Sequence, residues 1–164
     1  MDRSPLQRAA PAQVGGFRLR DAVTAGMVGA ACSAIPSTVW SLVRGDDVTE
    51  GGRALGAVLL PHERRTAVLV AAAAPAHLAI SMGWAAVLTA VLPRRRAPVW
   101  GVAGGLGIAA LDLGVIARRL PTIRALPQGR QWADHVAYGL AVGLVLAARS
   151  DAQQPQRPQH PTDP

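Results

Sequence analysis

Five residues of this 164-residue chain could carry proton or ligand chemistry: Asp112, His77, His135, Asp134 and Ser37. Asp112 is the single carboxylate inside the apolar run 100–119. Helical steps backwards from it meet Ala109, Gly105 and Gly101, so the acid sits on a face of very small side chains. In a lipid-embedded helix such a face admits a neighbouring backbone, which points Asp112 at other helices and away from lipid. A carboxylate at that depth costs about 2.5–3.5 kcal/mol on insertion scales, so it needs a partner or a water-filled site. An imidazole supplies one, because histidine titrates near neutral pH and an acid beside it suits a proton relay. His77 heads the stripe Ser81, Ala85, Thr89, and His135 heads Gly139, Gly143, Ala147.

The elements that must position these residues read as membrane helices. Half the residues are hydrophobic and 16% are charged, which is low for a soluble protein. Three runs are long enough to cross a bilayer and a fourth is marginal. The pattern predicts helices over 21–43, 66–92, 99–117 and 131–148, an all-α four-helix transmembrane bundle. The domain reading is a disordered tail over 1–20, the membrane domain over 21–149 and a second disordered tail over 150–164. Asp21 suits the N-cap of the first helix. Pro36 leaves the Cys32 carbonyl without its helical donor, a break that the hydroxyls of Ser37 and Thr38 or a neighbouring helix must satisfy. Helix two, with Pro75 inside it, is longer than the hydrocarbon needs. The turn 93–98 is short, which predicts a tight antiparallel hairpin of helices two and three. In the loop 45–65, Asp47 with Glu50 resembles a capping pair for a short amphipathic helix lying at the headgroups. Gly101, Gly105, Ala109, Gly139 and Gly143 are the expected helix-packing positions and the expected faces for self-association.

Two internal matches suggest duplication. His77, Ser81, Ala85 and Thr89 step with His135, Gly139, Gly143 and Ala147, while Gly26, Ala30, Ala34 and Ser37 step with Gly101, Gly105, Ala109 and Asp112. Two helical hairpins related along the membrane normal would give such a pattern. They would place Ser37, His77, Asp112, Asp134 and His135 in one polar layer near the long-loop face.

The net charge of +7 comes from arginines at the ends of the apolar runs, where they anchor and orient helices against anionic headgroups. Without aromatic interleaving or a binding motif, this excludes nucleic acid as a partner. The tails and the 94–96 turn hold nine arginines against eight in the long loops. That balance favours both termini in the cytoplasm. Cys32 stands alone and forms no internal disulfide. An enzyme is not expected. There is no serine beside a base, no paired carboxylates in one helix and no His-Glu metal spacing. Asp134 and His135 are adjacent, so they point about 100° apart on a helix and make no joint metal site. No cofactor or metal is called for.

The four-helix plan, and a last helix with histidine followed by four-spaced glycines, resemble the small bacterial inner-membrane proteins of the YagU type over residues 22–148. That resemblance implies a multi-pass protein of the bacterial cytoplasmic membrane and carries over no functional residue. Three roles fit the polar layer, the first being the expected one and the other two alternatives to it. In the first, His77 or His135 bonds Asp112 to fix helix packing in a structural or partner-subunit protein, with a homo-oligomer or another membrane protein as partner. In the second, Asp112 with His77 and His135 serves a small proton-linked transporter or channel. In the third, the two histidines are axial ligands of a b-type haem.

Overall fold

The long apolar runs are built mainly from Ala, Leu, Val and Gly, and in the computed structural model, which describes residues 19–152, each is helical. The elements are α1 (Leu19–Ser33), α2 (Ile35–Arg44), α3 (Glu50–Leu59), α4 (Thr66–Val91), α5 (Ala97–Gly114), a 3-10 turn (Ile116–Arg119), α6 (Pro121–Arg124) and α7 (Gln128–Asp151). No strand occurs among the described residues. The tails expected over 1–18 and 153–164 lie outside them. Leu19 and Arg20, assigned to the first tail, belong to α1, and Ser150 and Asp151 to α7.

Three helical units, Leu19–Arg44, Thr66–Val91 and Ala97–Arg119, are long and apolar enough to cross a membrane. Their side chains point mostly outwards. Only 17% of the most apolar window of Thr66–Val91 is buried within the protein, and Leu42, Val43, Val91 and Val99 are among the exposed residues. An apolar exterior of that extent is compatible with a membrane protein.

The first unit is broken. Pro36 has no N–H to give, and Ala34 leaves the helix between α1 and α2. The ladder resumes where the Thr38 amide donates to the Ala34 carbonyl at 3.1 Å. Asp21, read as a cap, lies buried within the first turn of α1. α2 ends at Gly45, whose φ of 72° is the left-handed turn that glycine closes at low cost. α4 stays helical through Pro75.

Packing follows the small residues. α5 lies along α7 with backbones in contact: a methyl added to Gly101 would strike the Gly139 carbonyl, one on Gly105 the His135 carbonyl, and one on Gly143 the Ala97 carbonyl. Ala109 is fully buried. The glycine faces of α5 and α7, the expected helix-packing positions, are therefore in contact with each other within the chain. α7 packs on α1, and α1 on α4. α3 closes on the start of α4, where Gly56 meets the Leu69 backbone, so it is held by the bundle as well as by any headgroup layer. A core of Ala25, Ala85, Leu88, Ala97, Ile108, Tyr138, Val142 and Leu146 joins α1, α4, α5 and α7.

The tight α4–α5 hairpin is not formed. The two helices approach where Leu88 lies against Gly104, near the 94–96 turn, and share few contacts elsewhere. The small face of α5 is already spent on α7, while α4 presents Ile80 and Trp84 on this side. The two walls stay apart, and a cavity opens between them.

Candidate functional site

The cavity holds about 470 Å³ between α4 and α5, backed by α1, α2 and α7. Four-residue spacing aims the lining. On α7, Arg130, Asp134 and Tyr138 share one face with His135 beside them; Ser33, Ser37 and Ser41 do the same across the α1–α2 break. His77 comes from α4 and Asp112 from α5. All five residues singled out by their chemistry thus line one space.

They do not form one hydrogen-bonded cluster. His135 Nε2 lies 3.3 Å from Asp112 Oδ2. Its Nδ1 lies 2.7 Å from the Gln131 carbonyl. A carbonyl only accepts, so Nδ1 carries a proton and a neutral His135 has a bare Nε2. A bare nitrogen cannot bond an ionised carboxylate. A hydrogen bond between the two therefore requires one further proton on the pair, giving either imidazolium with carboxylate or neutral imidazole with carboxylic acid.

Asp134 does something different. Its Oδ1 accepts the Ser37 backbone N–H at 2.9 Å. Ser37 is in the first turn of α2, where amides have no partner in their own helix. The carboxylate of α7 thus caps a helix start created by Pro36, and its charge suits the positive end of the α2 dipole. His77 is bound elsewhere again. Its Nε2 lies 3.2 Å from both the Ala30 carbonyl and Ser33 Oγ, and the carbonyl requires the Nε2–H tautomer. Ser33, not Asp112, is the polar partner of His77.

Arg130 is the residue that sequence reasoning missed. Its side chain is 11% exposed. Nη1 donates to Ser41 Oγ at 2.8 Å. It also approaches Asp46 at 3.4 Å, and Nη2 donates to Glu50 at 3.1 Å. One guanidinium thus ties the start of α7 to the end of α2, the following loop and α3. Nothing local marks this arginine among the others at helix ends, whereas the four-residue spacing of Ser33, Ser37 and Ser41 was there to be read.

At the mouth, Asp47 accepts from the Thr49 hydroxyl at 2.7 Å and then from the Thr49 amide at 2.8 Å, which lowers its pKa below the ordinary carboxylate value. Arg53 pairs with it at 2.9 Å. Asp47 thus bonds Thr49, and Glu50 reaches Arg130 instead of completing the capping pair. At the inner end the Tyr138 hydroxyl donates to the Ser81 carbonyl, joining α7 to α4. Its ring packs on Gly29, where any side chain would collide with it. Among the described residues no group of three or more His, Cys, Asp or Glu is arranged to hold a metal ion.

No protein family, curated protein or solved structure compared with this chain matches it.

Proposed function

We propose that this chain is a four-helix protein of the bacterial cytoplasmic membrane that binds a small solute in the α4–α5 cavity and couples it to the proton shared by Asp112 and His135. The observation that carries the reading is that Asp112 and His135, 3.3 Å apart, face a cavity large enough for a small organic molecule. Carboxylates and histidines at membrane depth mark ion and proton pathways. The titratable and charged groups around the pair are Asp134 and Arg130 of α7, His77 of α4 and, towards the mouth, Asp47 and Glu50.

α7 is the fourth crossing. Polar groups crowd its first two turns, but from Val136 to Ala148 no charge interrupts it. Arg149 donates to Thr24 Oγ1 at 2.9 Å, so the end of α7 returns to the start of α1. This contact supports an even number of crossings, and the arginine balance favours both termini in the cytoplasm with the cavity nearer the outer face. The pairing of α1 with α4 and of α5 with α7 supports two related hairpins. Their contact is asymmetric: α1 packs on α7, while the matching α4–α5 face is open.

A second reading keeps the polar layer purely structural, in a packing or partner-subunit role. It is favoured by the Asp134 cap on α2 and the Arg130 link, which serve folding without any ligand. The haem alternative draws no such support, because both Nε2 atoms are already engaged, by Asp112 and by Ala30 with Ser33.

Proteoliposomes enclosing a pH-sensitive dye separate the two readings. They are challenged in turn with an organic cation, an organic anion and a neutral solute of cavity size. Proton movement with at least one of them, abolished in a folded Asp112→Asn variant, is the expected result. Silence with all three leaves the layer as a packing device.

A further inference from the structure

Resting on the solute-binding reading, we infer that the cavity selects an amphiphilic organic cation, with its charged end at Asp112 and Asp134 and its apolar body between α4 and α5. The charge along the cavity is uneven. Near the mouth the acids are already answered, Asp47 by Arg53 at 2.9 Å and Glu50 by Arg130 at 3.1 Å. Deeper in, Asp112 and Asp134 remain; among the described residues no arginine pairs with either, and a cation arriving at Asp112 sends the proton of the Asp112–His135 hydrogen bond to solvent. Their polar contacts are the His135 imidazole and Ser37. Asp112 Oδ1 takes no hydrogen bond among the described residues, so it is open to a positive group. Arg130, the arginine on the cavity wall, is held by Glu50, Asp46 and Ser41 and has little left to offer an anion.

The rest of the lining is apolar. Ile80 and Trp84 on α4 face Ile108 and Leu113 on α5. An indole face attracts a cation that has shed water, and aliphatic walls favour a ligand whose charge is carried on a hydrophobic body. A small hydrated metal ion would find neither the ligand set nor a use for these walls. Because α4 and α5 diverge from the Leu88–Gly104 contact, an amphiphile already dissolved in the bilayer has a path between them.

Benzyltrimethylammonium, which has no titratable proton, is the probe. Its neutral carbon isostere is neopentylbenzene, and phenylmethanesulfonate serves as the anion. Equilibrium dialysis uses the full-length wild-type protein in zwitterionic nanodiscs, with empty discs subtracted. The cation is expected to bind at least about tenfold more tightly than the other two, a margin of the size one buried charge pair provides. In variants whose circular dichroism is unchanged, Asp112→Asn should weaken the cation about tenfold and Trp84→Leu about threefold. The neutral probe should not respond to Asp112→Asn. Equal or tighter binding of the neutral or anionic probe overturns the cation inference and leaves a solute site standing. Binding of none of the three overturns both. If the variants do not fold, the wild-type ranking alone decides.

Discussion

His135 gives its Nδ1 proton to the Gln131 carbonyl, and that backbone bond determines what its other nitrogen can do. Without it, His135 could meet an ionised Asp112 as a neutral donor. With it, a hydrogen bond between the two requires a further proton on the pair. At the opposite extreme of exposure is Glu63, before α4. Its Oε1 accepts the backbone amides of Arg64 and Arg65 at 2.8 Å each, and Arg65 Nη2 reaches Oε2 at 2.8 Å. The Arg65 side-chain bond, then these amides, lower the Glu63 pKa from 4.5 to about 2. Its folded value is depressed, so the contribution to stability is complete above 4.5 and is lost as pH falls towards about 2. Carboxyl NMR titration should show Glu63 still ionised at a pH where ordinary glutamates are half protonated. A midpoint near the ordinary value would show that the clasp does not form.

The α5–α7 seam and the α1–α2 break are properties of elements, and each has an internal control. A methyl at Gly139 would run into the backbone of Gly101 and Gly105, whereas one at Gly107 on α5 meets nothing within 4 Å. Gly139→Ala should therefore destabilise by about 1–3 kcal/mol through overpacking, while Gly107→Ala leaves the melting temperature unchanged or raised. Thermal melts in detergent compare them, and equal losses would place the seam elsewhere. Asp134 caps α2 from another helix, and an asparagine oxygen could still accept the Ser37 amide. Asp134→Ala should cost about 0.5–2 kcal/mol, and Asp134→Asn clearly less. Matching losses in the two variants would show that charge, not hydrogen bonding, is what α2 requires.

Over the whole molecule, the bond from Arg149 to Thr24 brings the first and last described helices to the same end. Reporter fusions at the two termini should therefore give the same sign, active on the cytoplasmic side for fluorescence and inactive for a periplasmic phosphatase. Opposite signs would require an odd number of crossings and remove α7 from the membrane. The bundle is held unevenly, tight along α5–α7 and open along α4–α5. A symmetric pair of hairpins would have closed both faces and left no cavity.

Helicity and lipid-facing surfaces follow from local information. Runs of Ala, Leu, Val and Gly satisfy their backbone internally, and arginines end those runs whatever their neighbours are. The small face beneath Asp112 was legible for the same reason, since its spacing lies within one helix. What sequence alone left open was the order of helices around the bundle. Four-spaced small residues occur on several helices here, so they permit many pairings and specify none. Only the tertiary structure gave His135 to Asp112, Ser33 to His77 and the Ser37 amide to Asp134. It also parted α4 from α5, because α5 has one small face and α7 occupies it.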